Sequence, residues 1–304
     1  MINIRQMKKS LGIIILALLL SSQSFADNNF DKDLKKISRD NGFIDNLGNT
    51  HPIEKISDKK NIILIIYTHG GEGDQKLDKC LKKWNLVAPV IRNLHNKKIH
   101  NYQIRIYRLC TGVRGWSQAE QDRMWKSTTK KRLTLKDNNG ELLFYKNKDF
   151  LRLKIIKAKI DELKSEGFKN IVLAGHSMGG WASLKFKTIH PKLIDGSIGL
   201  HPGSGGTKKN RKDWPWWEEV RNYGFGDLSN LNAIIITHDK DIFNSPNDYS
   251  TFKTLSEVKF VNLTSSKCKK KATLGGYHGL ALTKCFANED PRSKEITKYL
   301  KEIY

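Results

Sequence analysis

One serine in this chain stands in the pattern that an enzymatic nucleophile needs. Ser177 is the centre of the motif GHSMG, which follows the apolar run Ile171–Ala174 and precedes a helical pattern. A strand that turns sharply into a helix lifts the serine Oγ above the sheet, and the two glycines avoid collisions with neighbouring backbone. The segment therefore predicts an activated serine and acyl-transfer chemistry.

A serine hydroxyl is a weak nucleophile unless a histidine takes its proton and an acid orients that histidine. Where a serine sits on such a turn, the acid follows a later strand and the histidine comes nearer the carboxyl terminus. The stretch AIIITHDKDIF contains Asp239 and Asp241 just after an apolar run, and GGYHG places His278 in a glycine-flanked loop. We expect His278 to be the base and one of these two aspartates to be the acid.

Other histidines lie close to these residues in the sequence. We expect His69 to orient a loop rather than react, and His176 and His201 to be structural. His238 stands beside Asp239, but the end of a strand explains it better than a metal site does. The cysteines and histidines lack the spacing of a metal site, so no metal is expected.

The segments GHSMGG, THGG, HDKD and GGYHG resemble those of α/β-hydrolase esterases, lipases and dienelactone-hydrolase relatives. The resemblance spans residues 61–304 and implies the α/β-hydrolase fold without a metal or organic cofactor. In that family the acid usually lies a few residues before a proline. Pro246 therefore favours Asp241 over Asp239.

The resemblance also implies where an oxyanion hole would form. One backbone N–H would come from Met178, the residue after the serine, and the other from the loop THGG. Gly71 is the favoured donor in that loop, and Gly70 is the alternative.

Strands and helices alternate in the pattern of a parallel sheet. Continuous apolar runs, typical of strands buried on both faces, occur at Asn61–Tyr67, Tyr102–Leu109, Ile171–Ala174, Ile194–Leu200, Ala233–Thr237 and Val258–Leu263. Helical patterns occur at Phe150–Glu166, Met178–His190 and Arg292–Tyr304. We therefore predict an α/β fold with a mostly parallel central sheet flanked by helices, in one domain over residues 27–304.

Two stretches exceed ordinary connections and predict lid-like insertions, residues 111–149 and 201–231. The first contains the hairpin pattern LTLKDNNGELLFY. The second contains three tryptophans that either contact substrate or anchor the insertion: Trp214, Trp216 and Trp217. Trp181 either lines the floor of the substrate pocket or faces the core.

The first 26 residues have the form of a bacterial secretory signal. Basic residues precede the apolar run Leu11–Leu20, and Ser24 and Ala26 fit a small-residue cleavage site. The run is about half as long as a membrane-spanning helix. We expect cleavage after Ala26 and a periplasmic or secreted protein.

The chain has four cysteines, an even number that is typical of an exported protein. Neighbourhood in the sequence favours two disulfides, Cys80–Cys110 and Cys268–Cys285. The second bridge would hold the loop that carries His278.

The formal net charge is +23 at pH 7. We interpret it first as a Lys-, Asn- and Ile-rich composition spread over a solvated surface, and the alternative is weak association with anionic surfaces. No long basic block or nucleic-acid motif accompanies it, so no nucleic-acid partner is expected.

Together these residues predict a serine hydrolase that cleaves a small or envelope-derived carboxylic ester through an acyl-enzyme. A peptidase, an amidase or an acyltransferase would use the same residues. A non-catalytic protein that binds envelope polymers through its basic surface and its tryptophans would not need them.

Overall fold

The centre of the structure is a sheet of nine strands within the part of the chain that is described. The computed structural model describes residues 28–39, 41–51, 56–71, 85–113, 115–127, 134–204, 206–209, 224–268 and 277–304. Its strands are β1 (Gly42–Ile44), β2 (Thr50–His51), β3 (Ile62–Thr68), β4 (Lys98–Ile99), β5 (Tyr102–Leu109), β6 (Asn170–His176), β7 (Gly196–Leu200), β8 (Ala233–Thr237) and β9 (Val258–Asn262).

The sheet is mostly parallel, as the alternation of strands and helices predicts. Along it the strands follow the order β2-β1-β5-β3-β6-β7-β8-β9, and β4 pairs with the start of β5. β3 and β5 to β9 run parallel, whereas β1 is antiparallel to both β2 and β5. Because β5 and β6 lie on opposite sides of β3, the direction in which the sheet grows reverses there. The carboxyl ends of strands at such a point form a crevice in α/β folds.

Helices cover both faces of this sheet. The described α-helices are α1 (Asn28–Ser38), α2 (Pro89–Arg92), α3 (Gln118–Lys126), α4 (Lys148–Ser165), α5 (Met178–Ile189), α6 (Ser250–Lys253), α7 (Lys284–Glu289) and α8 (Glu295–Ile303). Within these ranges no helix is long and apolar enough to cross a lipid bilayer.

The packing of β3 shows why its sequence is continuously apolar. Ile63 and Ile65 pack into a core shared with α2, α7 and α8, while Ile62 and Leu64 pack into a second core shared with α1, α4 and α5. All seven residues of the strand are buried. A strand that has helices on both faces has no solvent-facing side chains, so the usual alternation disappears.

The predicted hairpin of the first insertion forms its turn and a short pairing beside it, in which the N–H of Leu143 donates to the carbonyl of Leu135 (2.8 Å). Lys136 and Leu142 make an isolated antiparallel bridge, and the chain then enters a 3-10 helix at Leu143–Lys146. Trp116 Nε1 donates a hydrogen bond to the carbonyl of Leu143 (2.6 Å). That carbonyl is therefore engaged by a side chain in place of a second strand. The lid role of both insertions stays a prediction.

Candidate active site

The residues singled out by the sequence follow the carboxyl ends of parallel strands. Gly70 and Gly71 come after β3, Ser177 directly after β6, and Asp241 after β8. His278 lies on a 3-10 helix, Tyr277–Leu282, that follows β9 in the chain. Since parallel strands end at the same edge of the sheet, the topology gathers these residues from distant parts of the sequence.

Ser177 sits on the strained turn between β6 and α5. Its backbone has φ 54° and ψ −121°, values that are rare for a non-glycine residue. A Cβ on Gly175 would overlap the backbone of Gly179, and a Cβ on Gly179 would collide with the carbonyl oxygens of Thr68 and His69. The two glycines of GHSMG therefore let β3, β6 and α5 approach closely enough to hold the turn.

The residues expected to supply the oxyanion hole lie next to this turn. Met178 is the first residue of α5, and the first N–H groups of a helix have no partner within that helix. A Cβ on Gly71 would lie 2.6 Å from Cε of Met178, and a Cβ on Gly70 would lie 3.5 Å from Cβ of Ser177. Both glycines thus lie against the turn that carries Ser177, and the choice between them stays open.

His69 holds the loop that contains these glycines, and it remains neutral. Its Nε2 accepts a hydrogen bond from the N–H of Thr111 (3.3 Å), so its proton is on Nδ1, which donates to the carbonyl of Gly70 (2.6 Å). Burial lowers the pKa of His69 to about 3, and the nearby charge of Arg152 adds to this effect. The position agrees with a residue that orients the loop.

Helix α4 supports this loop from below. Nη1 of Arg152 donates a hydrogen bond to the carbonyl of His69 (2.5 Å), while Oδ2 of Asp149 accepts one from Oγ of Ser204 (2.6 Å). Burial lowers the pKa of Arg152 to about 10, and the charge of Asp149 opposes this shift. One helix turn therefore connects the loop after β3 with the loop after β7.

Asp241 lies against His278. Nδ1 of His278 is 2.8 Å from Oδ2 and 3.1 Å from Oδ1 of the carboxylate, and both side chains are almost completely buried. The backbone N–H groups of Phe243 and Asn244 donate to Oδ1 (2.8 and 3.3 Å). An acid held by its own backbone in this way can orient an imidazole through Nδ1 and leave Nε2 for chemistry.

His176, the residue that precedes Ser177, holds His278 beside the turn that carries Ser177. The carbonyl of His278 accepts a hydrogen bond from Nε2 of His176 (3.0 Å), and the two rings lie 4.7 Å apart. The ring of Phe243 packs on His278 at 4.3 Å. Nε2 of His278 is buried and has no hydrogen-bond partner among the described residues.

A second histidine contacts the same carboxylate. Nδ1 of His201, the residue after β7, lies 3.0 Å from Oδ2 of Asp241, and His201 is completely buried. From the sequence, His176 and His201 were expected to be structural. The contact of His176 with His278 and that of His201 with Asp241 were not predicted. The available signal was their position at the carboxyl ends of buried strands, since His176 is the last residue of β6 and His201 directly follows β7. Ser177 and Asp241 lie at the same edge of the sheet.

Asp241 is ionised in this environment. Burial alone would raise its pKa, but the hydrogen bonds from His201 and His278 outweigh burial, and the pKa of Asp241 lies well below its ordinary value. A buried carboxylate that accepts several hydrogen bonds keeps its charge for this reason.

Asp239, the alternative acid, lies elsewhere. It is exposed, and it accepts a hydrogen bond from Nδ2 of Asn262 (2.9 Å), while its N–H donates to Oγ1 of Thr264 (3.2 Å). His238 stacks on Tyr277 at 4.0 Å and accepts the N–H of Lys240 on Nδ1. Both residues therefore stabilise the end of β8 and the start of the 3-10 helix.

The aromatic residues proposed to contact substrate are placed in part. Trp181 is buried in a cluster with the rings of Phe225, Tyr249 and Phe252. This position favours the core-facing interpretation over a place in the substrate pocket. Three further tryptophans lie outside the described residues: Trp214, Trp216 and Trp217.

A disulfide joins Cys268 to Cys285. It closes a loop with a sequence separation of 17 that contains His278. Cys110 is also disulfide-bonded, and its expected partner Cys80 lies outside the described residues. The Cys268–Cys285 bridge therefore holds both ends of the segment that presents His278.

The side chains of His201, Asp241 and His278 are also the kinds of ligand that a metal ion takes, and their ligand atoms lie within 4.8 Å of one another. However, Nδ1 of each histidine is used for a hydrogen bond to Asp241. A metal bound among these atoms would have to replace those hydrogen bonds. The hydrogen bonds to Asp241 therefore account for this arrangement without an ion.

Comparison with known proteins gives distant structural likenesses. Neither a protein-family model nor a curated protein sequence matches the chain. Est1E from Butyrivibrio proteoclasticus is 15% identical over 86% of this chain and 96% of its own, with a TM-score of 0.46. A lipase-esterase related protein from Clostridium acetobutylicum is 12% identical over 87% of this chain and 98% of its own, with a TM-score of 0.41. Likenesses this distant say nothing about activity or substrate. By its own sheet order and its strand–serine–helix turn, the chain has the α/β-hydrolase fold.

Proposed function

We propose that this protein is a serine hydrolase that cleaves carboxylic esters through an acyl-enzyme. The observation that carries the proposal is the hydrogen bond between Asp241 and Nδ1 of His278, beside the strained turn that presents Ser177. An imidazole held at Nδ1 has its second nitrogen available to take the proton of a serine.

In the first half of the reaction, Oγ of Ser177 attacks the carbonyl carbon of the ester while Nε2 of His278 takes the hydroxyl proton. The carbonyl oxygen becomes an oxyanion, which accepts hydrogen bonds from the N–H groups of Met178 and Gly71. As the tetrahedral intermediate collapses, His278 gives its proton to the leaving alkoxide. An alcohol leaves, and the acyl group stays on Ser177.

In the second half, His278 takes a proton from water, and the resulting hydroxide attacks the acyl carbon. The second intermediate uses the same N–H groups and collapses when His278 returns the proton to Oγ of Ser177. A carboxylic acid leaves and the free serine is restored. Asp241 stays ionised throughout and stabilises the imidazolium that forms in each half.

The backbone donors supply a large share of the rate because they are fixed before the reaction begins. Loss of one such donor typically costs about 10²- to 10³-fold in kcat. Gly71 lies close to Met178, and Arg152 donates a hydrogen bond to the carbonyl of His69, so both would help to hold the loop in place. A rigid loop needs no reorganisation when the charge develops.

Esters are the first substrate class to test because an alkoxide leaves more readily than an amine and needs no further group to assist it. Peptides or amides, and transfer of the acyl group to an envelope alcohol, would use the same residues. Each is an outcome of the same experiment. A binder of envelope polymers would have no need of an oriented base.

The proposal includes export. The signal-like first 26 residues and the Cys268–Cys285 disulfide support a mature chain that begins at Asp27 outside the cytoplasm. Amino-terminal sequencing of the protein from the periplasm or medium tests this directly. A retained Met1 in a cytoplasmic fraction would contradict it.

The decisive experiment is intact-mass spectrometry after treatment with a fluorophosphonate probe, together with hydrolysis of p-nitrophenyl esters of increasing acyl length. We expect one adduct on the native protein and none on Ser177→Ala or His278→Ala. His100→Asn is the matched control, because His100 is exposed and distant in the sequence. If the folded native protein takes no adduct and hydrolyses neither esters nor peptides, the hydrolase proposal fails.

A further inference from the structure

His201 has an unusual position for a residue with only a structural role. It is completely buried at the carboxyl end of β7, and its backbone φ of +46° lies in the left-handed region, which few residues other than glycine adopt. Its N–H donates to the carbonyl of Ile236 (2.7 Å), which ties it to β8 just ahead of Asp241. The strained backbone therefore directs the imidazole at the carboxylate.

The direction of the hydrogen bond follows from the charge of its partner. Asp241 is ionised and can only accept, so Nδ1 of His201 must carry the proton and donate (3.0 Å). Nε2 of His201 is then the unprotonated nitrogen, and it is buried without a hydrogen-bond partner among the described residues. Burial lowers the pKa of His201, and the bond to Asp241 only partly opposes it. His201 is thus a neutral donor.

The carboxylate oxygens are engaged unequally. Oδ1 of Asp241 is held by two backbone N–H groups as well as by His278. Oδ2 has two imidazole donors, His278 at 2.8 Å and His201 at 3.0 Å. Without His201, the oxygen nearest the base would have His278 as its one side-chain donor among the described residues.

We infer that His201 is a positioning residue that acts on the reaction through Asp241: it fixes the carboxylate and takes a share of its negative charge. The inference rests on the proposed function and deepens it. A carboxylate that is fixed by a second donor keeps Oδ2 aligned with Nδ1 of His278, so the imidazole stays in the orientation that the reaction needs.

Other titratable groups lie near this pair on the neighbouring elements. His176 at the end of β6 and His238 at the end of β8 both have a pKa lowered by burial. Asp239 is exposed, and the pKa of its carboxyl is lowered by hydrogen bonds from Thr264 and Asn262. Among the described residues, none of these side chains donates to the carboxylate of Asp241, so His201 is its second side-chain donor beside His278.

The test compares His201→Asn with His201→Leu. An asparagine amide can donate from nearly the position of Nδ1 and tolerates the left-handed backbone, whereas leucine has a similar size and no donor. Because a hydrogen bond to a charged group is removed, we expect His201→Leu to lose about ten- to a hundredfold in kcat with little change in KM.

His201→Asn should recover most of kcat. Equal losses in both variants that follow their melting temperatures would show that His201 only packs and would overturn the inference. His201→Ala replaces the leucine variant as the non-donor if the latter does not fold. Full activity in a folded non-donor variant would overturn it as well.

A spectroscopic measurement separates this inference from the proposed function. In a two-bond ¹H–¹⁵N spectrum of native protein labelled at histidine, assigned with His201→Asn, we expect His201 to be the neutral tautomer protonated on Nδ1. A proton on Nε2 would overturn the inference even in an active enzyme. If the native protein neither hydrolyses esters nor reacts with the fluorophosphonate while the Nδ1 proton is found, the proposed function fails and the hydrogen bond stands.

Discussion

Replacing Asp241 with asparagine tests the orientation of the base without changing the size of the side chain. The backbone N–H groups of Phe243 and Asn244 donate to Oδ1, so an asparagine would turn its oxygen toward them. Its NH₂ group would then face Nδ1 of His278. Nδ1 would then have to accept a hydrogen bond from this NH₂ group, so the proton of His278 would move to Nε2. A protonated Nε2 cannot take the proton of Ser177.

The size of the effect follows from that tautomer change. With an intact nucleophile and oxyanion hole but the wrong tautomer, kcat is expected to fall about 10⁴-fold, which corresponds to about 5 kcal/mol of transition-state stabilisation. Stability should fall much less, by about 1–3 kcal/mol, because both histidines that contact Oδ2 lose that acceptor but can change tautomer and accept from the amide. Activity and stability therefore separate.

The assay is kcat and kcat/KM on a p-nitrophenyl ester together with urea denaturation of each variant. Asp239→Asn is the matched control, because Asp239 is the neighbouring acid, exposed and hydrogen-bonded to Asn262. It should stay within about twofold of the native rate. A loss of less than tenfold in Asp241→Asn, or a larger loss in Asp239→Asn, would refute the reasoning.

Three further predictions follow from the same geometry. Reduction of the Cys268–Cys285 bridge should lower kcat more than it lowers the far-ultraviolet circular dichroism signal, because the bridge holds the segment that carries His278; unchanged kcat with titratable thiols would contradict this. Dialysis against EDTA should leave kcat unchanged, since the hydrogen bonds to Asp241 engage Nδ1 of both histidines; loss of activity that Zn²⁺ restores would refute it. The free energy of unfolding should fall as the pH drops below about 6.5, because the unfolded chain binds protons that three buried histidines with lowered pKa values do not bind in the fold. Together these three would contribute up to about 4 kcal/mol per pH unit. A slope below about 1 kcal/mol per unit between pH 6 and 5 would count against this prediction. These histidines are His69, His176 and His201.

Much of the fold was accessible from the sequence because a doubly covered sheet leaves a simple signature. The runs Tyr102–Leu109 and Ala233–Thr237 are strands with those bounds. The run predicted from Ile194 begins instead at Gly196. At Asp195 the side chain, not the backbone carbonyl, accepts the N–H of Ile171 on the neighbouring strand (2.8 Å). A side chain that replaces a strand contact cannot be read from hydrophobic periodicity.

The arms of the predicted hairpin are shorter than expected for a related reason. Its turn is present, with Gly140 at φ +81° and Oδ1 of Asp137 accepting the N–H groups of Asn139 and Glu141. At Leu143 the carbonyl of the second arm accepts a hydrogen bond from Trp116, which is distant from it in the sequence. Local turn chemistry was therefore predictable, whereas the competing tertiary hydrogen bond was not.

The candidate site divides along the same line. Ser177 could be located from its own neighbours, because the strained turn needs glycines at fixed offsets. Asp241 and His278 could be located only by their order along the chain, and their contact is a property of the fold. His201 had neither a local motif nor a place in that order.

The buried histidines explain why motifs in the sequence identified Ser177, Asp241 and His278 but not the donors around them. A carboxylate taken out of water needs donors, and each donor placed at the edge of a parallel sheet comes from the end of a different strand. His201 from β7, and the backbone that follows Asp241 after β8, meet that need, while His176 from β6 holds His278 by its carbonyl. The fold thus places neutral donors around one charge. Their number and identity depend on which strand ends are adjacent, which is information that the sheet order contains and the sequence of any single segment lacks.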